Sequence, residues 1–159
     1  SIDSAHKSQW AIGEVVFGIP FLISIAIQFI IPFSFPQGLL RQALIPVGIA
    51  LIITGIGLIV WLAVSLLIIA NLPILAIDKQ DRSEGVFSIS RNPLYLGSVI
   101  VFLGIALTFN ILWALVTLLF SIIICVYVLI LPEEQYLAGK FGEEYKAYIA
   151  SVHRWIGRK

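Results

Sequence analysis

The chain has 159 residues, of which 60% are hydrophobic and only 12% are charged. A soluble domain is about half apolar and about a quarter charged, so the composition excludes an ordinary soluble domain and a disordered segment. Ten Lys and Arg residues nearly balance nine Asp and Glu residues, which excludes a basic nucleic-acid-binding protein. The single cysteine excludes a disulfide framework and a cysteine-ligated zinc site.

Two apolar runs in the first half of the chain predict membrane-spanning helices. The first, residues 10–31, exceeds the roughly 20 residues that a helix needs to cross a bilayer. A connector with several Pro and Gly residues separates it from the second run, residues 44–72, which carries no charge. Gly48, Gly55 and Gly57 lie in the second run, and small residues of this kind allow helices to approach closely in lipid.

The third apolar region, residues 94–131, is 38 residues long, which is too long for a single span. Asn110 lies inside it close to Trp113, as expected where a hairpin turns at the membrane surface. We therefore predict helices over residues 93–109 and 111–131, and four membrane spans in total.

The basic residues lie almost entirely on one side of this predicted topology. With four spans, the N-terminus, the loop over residues 73–92 and the C-terminal segment share a side that holds nine basic residues, whereas the other side holds only Arg41. Cytoplasmic segments are enriched in Lys and Arg, so both termini of this multi-pass protein are predicted to be cytoplasmic. The nine residues are Lys7, Lys79, Arg82, Arg91, Lys140, Lys146, Arg154, Arg158 and Lys159.

The segment after Pro132 is not apolar enough to span a membrane. Its apolar and aromatic residues recur at steps of three and four, which places them on one face of a helix. We predict an amphipathic helix over residues 132–156, broken at Gly139 or Gly142, that lies on the cytoplasmic surface with its aromatic side chains against the membrane. The whole chain, residues 1–159, is thus predicted to be one all-α, polytopic membrane domain.

The predicted hairpin also brings two polar segments together. Residues 91–97 precede and begin one helix, and Glu133 and Glu134 follow the return of the chain to the same membrane face. Pro93 suits the first position of a helix, and Pro132 is expected to start the next one, with both glutamates in its first turn. A guanidinium, an amide, a phenol and two carboxylates would then meet at the membrane boundary. Such a cluster suits a polar, partly cationic ligand that meets an apolar partner from the lipid.

Several short motifs follow one another in the second half of the chain. They are Gly85-Val86-Phe87, Arg91-Asn92-Pro93-Leu94-Tyr95-Leu96-Gly97, Glu133-Glu134, Phe141-Gly142-Glu143-Glu144-Tyr145-Lys146 and Val152-His153-Arg154-Trp155. In this order they resemble the signature of the integral-membrane methyltransferases, which include isoprenylcysteine carboxyl methyltransferases and phospholipid N-methyltransferases. The resemblance covers about residues 73–156, whereas the first two spans match only in being apolar.

The resemblance implies that the protein binds S-adenosylmethionine as its cofactor and transfers the methyl group to a lipophilic acceptor by direct in-line displacement. Glu133, Glu134 and Tyr95 are then candidates for accepting a proton from an amine acceptor, and neither a metal nor a nucleic acid is implied. The cofactor-binding residues that the resemblance implies are Lys79, Gln80, Asp81, Arg82, Phe87, Arg91, Asn92, Pro93, Leu94, Tyr95 and Glu133.

The chain departs from the family pattern at three positions. Asn92 stands where His is commonest, and an amide does not titrate near neutral pH. Phe87 replaces a frequent Tyr and lacks its hydroxyl. Leu129 stands where the eukaryotic carboxyl methyltransferases carry a substrate-binding Arg, which leaves another lipophilic nucleophile as an alternative acceptor.

Simpler interpretations of the same residues remain open. Glu133 and Glu134 also fit a solvated helix start, Arg91 fits an anchor at the lipid headgroups, and Tyr95 fits an interfacial aromatic residue. Glu14 is the only acid within a predicted span, so it is either functional or close enough to the end of the span to reach water.

Two other functions are compatible with the sequence. Four short spans and a single acid, Glu14, are compatible with a small multidrug-type transporter. The departures from the family pattern at Asn92, Phe87 and Leu129 are compatible with a membrane scaffold without catalytic activity. Trp155 and Arg154, which we assign to the membrane surface, have closure over the site as an alternative role.

Overall fold

The computed structural model describes residues 2–71 and 85–159, and within these two ranges it is all-helical and contains no strand. A short 3₁₀ turn, Gly85–Ser88, precedes the third helix. The helices of the described ranges are α1 (Ile2–Ile30), α2 (Leu39–Asn71), α3 (Pro93–Phe109), α4 (Leu112–Phe141) and α5 (Glu143–Ser151). The predicted all-α class is therefore confirmed.

Three of the described helices are long and apolar enough to cross a membrane. Their apolar stretches are Ile12–Ile30 in α1, Leu39–Ile68 in α2 and Leu112–Phe141, which is all of α4. α3 is also apolar but has only 17 residues. The chain is therefore an integral membrane protein.

Glycines that face each other allow α2 and α3 to pack closely. A β-carbon at Gly104 would lie 2.6 Å from the carbonyl oxygen of Gly48, and one at Gly55 would lie 2.8 Å from that of Gly97. Both distances are too short for any side chain larger than hydrogen. The predicted role of Gly48 and Gly55 in close helix approach is confirmed, whereas Gly57 faces open space.

The chain turns between α3 and α4 at Asn110, as predicted. Asn110 has a left-handed backbone with φ of 57°, which Asn adopts more readily than most residues. Its Nδ2 donates to the carbonyl oxygen of Phe35 (2.9 Å), and its Oδ1 accepts from the Phe35 N–H (2.8 Å). The indole N–H of Trp113 donates to the carbonyl oxygen of Ile31 (2.7 Å). These bonds fasten the α1–α2 connector to the hairpin turn, at what we call the Asn110 end of the bundle.

Arg41, the one basic residue predicted to lie on the far side, caps the C-terminus of α3. Its guanidinium donates to the carbonyl oxygens of Leu107 (2.7 Å) and Thr108 (2.5 Å). These carbonyls belong to the last turn, where no intrahelical donor remains, and a cation there also complements the helix dipole. Arg41 thereby joins α2 to α3 at the Asn110 end.

α4 continues through Pro132, where the sequence predicted that a new helix starts. A π-helical segment, Cys125–Ile130, lies directly before this proline. Proline lacks a backbone donor, and its ring crowds the carbonyl group four residues earlier. Because a π-helical turn is wider than an α-helical one, it accommodates Pro132 without ending the helix. Glu133 and Glu134 lie in the first turn of the α-helical segment Leu131–Phe141, as predicted, although this segment continues α4 without a break.

The chain beyond α4 differs from the predicted helix over residues 132–156. Gly142 interrupts the helix with φ of 55°, a conformation that glycine adopts readily, so a break at Gly142 is confirmed. α5 then ends at Ser151. Residues 152–159, which we call the tail, leave the helix and contain one isolated antiparallel bridge.

The aromatic face of α5 is buried inside the protein. Tyr145, Tyr148 and Val152 form a buried cluster against Phe87 of the 3₁₀ turn and Leu137 of α4. The Tyr148 hydroxyl donates to the carbonyl oxygen of Phe87 (2.8 Å). The prediction that these aromatic side chains lie against the membrane was wrong, because the segment before α3 supplies a packing partner that is distant in sequence.

A second apolar cluster joins α1, α3 and α4, and it fixes the beginning of α3. The ring of Phe17 in α1 lies parallel to that of Phe102 in α3, with 6.0 Å between the ring centroids. The buried members of the cluster are Val16, Phe17, Tyr95, Leu118, Cys125, Leu129 and Ile130. Because Tyr95 belongs to it, the first turn of α3 is held against both α1 and α4.

Candidate functional site

The two polar segments that the sequence predicted to be neighbours meet where α3 begins, which we call the Pro93 end of the bundle. Nη1 of Arg91, two residues before α3, lies 3.4 Å from Oε1 of Glu134 on α4. The side chains are 8% and 14% exposed, so the ion pair is largely withdrawn from solvent. The predicted proximity of residues 91–97 to the glutamates is thus confirmed for this pair.

Glu134 also binds Arg154 from the tail. Its two carboxylate oxygens accept hydrogen bonds from Nε and Nη2 of Arg154, each at 2.9 Å. This bidentate arrangement is the stronger form of an arginine–carboxylate contact, and hydrogen bonding to Glu134 raises the pKa of Arg154 above its ordinary value. One carboxylate therefore holds two guanidinium groups, and we call Arg91, Glu134 and Arg154 the Glu134 cluster.

Asn92 is buried and is hydrogen-bonded to the tail. Its Nδ2 donates to the carbonyl oxygen of Arg154 (3.1 Å). The Ser90 hydroxyl accepts from the Asn92 N–H (3.0 Å) and donates to the same Arg154 carbonyl (3.3 Å). A backbone hydrogen bond from Gly157 to Ile89 (2.7 Å) lies beside them. Asn92 therefore joins the start of α3 to the tail.

Tyr95 is 5% exposed and packs against α1. The Glu133 carboxylate is close enough to act electrostatically on Tyr95 and on Cys125. On the side of α1, a β-carbon at Gly13 would lie 3.4 Å from Tyr95 Cε1. Tyr95 and Glu133, two of the predicted site residues, are thus within electrostatic reach of each other.

A cavity of about 360 Å³ lies between α1, α2 and α3 and has Tyr95 in its wall. This volume falls within the range of about 300–1,000 Å³ that is typical of ligand sites. Glu14 and Ser98 are its other polar side chains, and none of the described residues that line it carries a positive charge. The apolar side chains of the wall are those of Phe17, Ile59, Leu94 and Phe102.

The remaining predicted cofactor residues are only partly placed by the structure. Phe87 packs in the α5 cluster, Pro93 is the first residue of α3 as predicted, and Leu94 lines the cavity. In the part of the chain that the structure describes, no group of three His, Cys, Asp or Glu residues is arranged to hold a metal ion. Four residues of the predicted cofactor loop lie outside the described residues: Lys79, Gln80, Asp81 and Arg82.

Two polar residues of this region were not among the predicted site residues. Glu14 lies in the cavity wall. The only sign of it in the sequence was that it is a single acidic residue within an apolar run. Arg154 was assigned to the membrane surface, whereas it binds Glu134, from which it is separated by 20 residues. This contact requires the tail to fold back onto the start of α3, which no local sequence pattern encodes.

Comparison with known proteins identifies a family. Residues 44–144 match the family model of phospholipid methyltransferases. The matched region covers more than half of the chain and includes the beginning of α3 and both glutamates of α4. No curated protein and no solved structure matched the chain.

Proposed function

Because the chain belongs to the phospholipid methyltransferase family, we propose that it transfers a methyl group from S-adenosylmethionine to a lipophilic acceptor at the cytoplasmic face of the membrane. The observation that carries the proposal is the position of Tyr95. Its ring forms part of the wall of the apolar cavity, and its hydroxyl is within electrostatic reach of the Glu133 carboxylate. A polar cofactor and an apolar acceptor would therefore meet at this residue.

The residues of the Pro93 end fit the chemistry of S-adenosylmethionine. The molecule carries a sulfonium, an ammonium and ribose hydroxyls, all of which a carboxylate such as Glu133 can stabilise. Tyr95 adds a neutral hydroxyl beside that carboxylate. When bound, the cofactor supplies the electrophilic methyl group. The chain's contribution is to hold and orient the partners, because alignment of two reactants removes much of the entropic barrier.

An amine or hydroxyl acceptor must also lose a proton, and the structure distinguishes the candidates for accepting it. Both oxygens of Glu134 accept hydrogen bonds from Arg154, so this carboxylate is committed to the ion pair. Glu133 is within electrostatic reach of Tyr95, which in turn lines the cavity. We therefore propose that Glu133, and not Glu134, receives the proton, with the Tyr95 hydroxyl as a relay that takes the proton of the acceptor while it passes its own proton to Glu133.

The cavity supports an acceptor whose reacting end is neutral or cationic. Its apolar walls suit hydrocarbon, while Glu14 would attract an amine and repel a carboxylate. Leu129, at the position of the substrate-binding Arg expected in carboxyl methyltransferases, is buried in the apolar cluster of α1, α3 and α4. The site therefore favours a phospholipid-type acceptor over an isoprenylcysteine carboxylate.

We propose four spans with both termini in the cytoplasm. α3 has 17 residues, and at 1.5 Å per residue it is about 26 Å long, close to the thickness of the hydrocarbon core. It packs against α2 through the glycines and begins beside α4 at the Pro93 end. The excess of basic residues on the side of the Pro93 end supports the cytoplasmic assignment.

Ligand binding to the purified protein tests this proposal. S-adenosylhomocysteine, the demethylated product, should raise the thermal stability of the protein, by about 2.7 kcal/mol at a concentration 100 times its Kd. Glu133→Gln should abolish the stabilisation, because the variant loses the charge beside Tyr95. Glu143→Gln is the matched control, since Glu143 is 88% exposed and pairs with Lys146 on the surface of α5.

Ligand binding and cation uptake distinguish the two other functions. A folded protein that neither S-adenosylmethionine nor S-adenosylhomocysteine stabilises would contradict the proposal and support a non-catalytic membrane scaffold. Proton-coupled cation uptake by vesicles that contain the protein, lost in Glu14→Gln, would instead support the small multidrug-type transporter.

A further inference from the structure

The two arginines of the Glu134 cluster share its carboxylate unequally. Arg154 donates two hydrogen bonds of 2.9 Å, one to each oxygen. Arg91 has a single ion-pair contact, from Nη1 to Oε1 at 3.4 Å. Arg154 is therefore the main partner of Glu134, and it occupies the two oxygens that Arg91 would otherwise bind.

This arrangement leaves Arg91 with unused binding capacity. Its side chain is 8% exposed, and no acceptor among the described residues forms a hydrogen bond with its Nε. An unmade hydrogen bond on a buried guanidinium is costly, and an anion that completes it binds favourably. Two cations around one carboxylate also leave the cluster with an uncompensated positive charge. Both features point to a negatively charged ligand group at Arg91.

We propose that Arg154 is a positioning residue that occupies Glu134 and thereby leaves Arg91 available to bind the carboxylate group of the methyl donor. The inference rests on the proposed function, because it takes S-adenosylmethionine as the ligand. Arg91 lies two residues before α3, whose first turn carries Tyr95, and Glu133 lies next to Glu134 in the sequence of α4. A donor bound there would extend its carboxylate to Arg91 and its cationic groups to Glu133. Without Arg154, both oxygens of Glu134 would be open to Arg91, and the present single contact of 3.4 Å would become a full ion pair that neutralises this anion subsite.

The tail is anchored independently of the Arg154 side chain, which makes the role of that side chain testable. Val152 is fully buried in the α5 cluster. Backbone hydrogen bonds join Gly157 to Ile89 (2.7 Å) and Arg91 to His153 (3.3 Å). Removal of the guanidinium should therefore leave the tail in place.

Equilibrium binding of two ligands that differ by one carboxylate tests the inference. The ligands are S-adenosylhomocysteine and its decarboxylated analogue. Arg154→Ala should weaken binding of S-adenosylhomocysteine about tenfold, the effect of one charge-assisted hydrogen bond, and leave binding of the analogue unchanged. Arg154→Lys should give an intermediate loss, since it keeps the charge without the bidentate geometry. Lys146→Ala, which removes a cation that is 65% exposed on α5, should change neither affinity.

Each other outcome has a definite meaning. An equal loss of affinity for both ligands in Arg154→Ala would show that the residue only stabilises the fold, and no loss for either would also overturn the inference. If Arg154→Ala does not fold, Arg154→Lys decides, because a loss confined to S-adenosylhomocysteine is still expected. If the unsubstituted protein binds both ligands equally, the inference fails and the proposed function stands. If it binds neither ligand, the proposed function itself fails.

Discussion

At the scale of single residues, Tyr95 links the two halves of the proposed site. Its ring is packed in the apolar cluster of α1, α3 and α4, while its hydroxyl is the polar group that it offers to ligands. The ring of Tyr95 therefore makes the packing contacts, whereas the proposed chemistry depends on its hydroxyl. A substitution that removes only the hydroxyl separates the two contributions.

Tyr95→Phe should lower the rate of methyl transfer by about 100-fold, which is within the range that proton transfer by a positioned side chain contributes. The thermal stability should change little, because the ring keeps its contacts in the cluster. Tyr127→Phe makes the same chemical change on α4 at a side chain that is 69% exposed, and it should leave the rate unaltered. Wild-type turnover by folded Tyr95→Phe would exclude a role for this hydroxyl.

At the scale of helices, the contact between α2 and α3 depends on the absence of side chains. The carbonyl oxygen of Gly48 would lie 2.6 Å from a β-carbon at Gly104, so any larger residue at Gly104 must push the helices apart. Because α3 carries Asn92 and Tyr95 at its start, a shift of this helix would also displace the proposed site.

Gly104→Ala should therefore destabilise the protein by about 1–3 kcal/mol, the usual cost of overpacking a tight contact. Gly57→Ala is the matched control, since Gly57 lies in α2 but faces open space and alanine favours helix there. Thermal unfolding in one detergent compares the two variants. Equal stabilities of Gly104→Ala and Gly57→Ala would show that the close contact between the helices does not limit stability.

The sequence predicted those features of the helices that local patterns encode. Asn110 marked the turn because a polar residue between two apolar runs is a strong local signal, and the structure places the turn there. The continuation of α4 through Pro132 was not predictable from proline alone, because it depends on the π-helical segment before it. Similarly, Gly48 and Gly55 were recognised as small residues, but their alignment with Gly104 and Gly97 is set by packing.

At the scale of the whole molecule, the chain joins distant segments at the Pro93 end. The proximity of Arg91 to Glu134 was predictable because a hairpin must return the chain to the membrane face from which it started. The position of Arg154 was not, since its carbonyl oxygen accepts from Asn92, 62 residues earlier. Such contacts depend on burial of Val152 and the α5 aromatic residues against the segment before α3.

We propose that the cavity between α1, α2 and α3 and the polar cluster at the Pro93 end form one reaction site. The low charge and high apolar content of the chain then suit both its insertion in the membrane and the binding of an apolar acceptor. In the proposed function, the few charged residues at the Pro93 end hold the polar cofactor. Transfer of a methyl group to a lipid would require the cavity and the polar cluster together.

Incubation of the purified protein with methyl-labelled S-adenosylmethionine and a membrane lipid extract tests this central claim most directly. We expect the label in a lipid that carries an amine or hydroxyl group, both with the unsubstituted protein and with Glu143→Gln, and no labelled lipid with Glu133→Gln. A folded protein that binds S-adenosylhomocysteine but transfers no label to the lipid fraction would contradict the account.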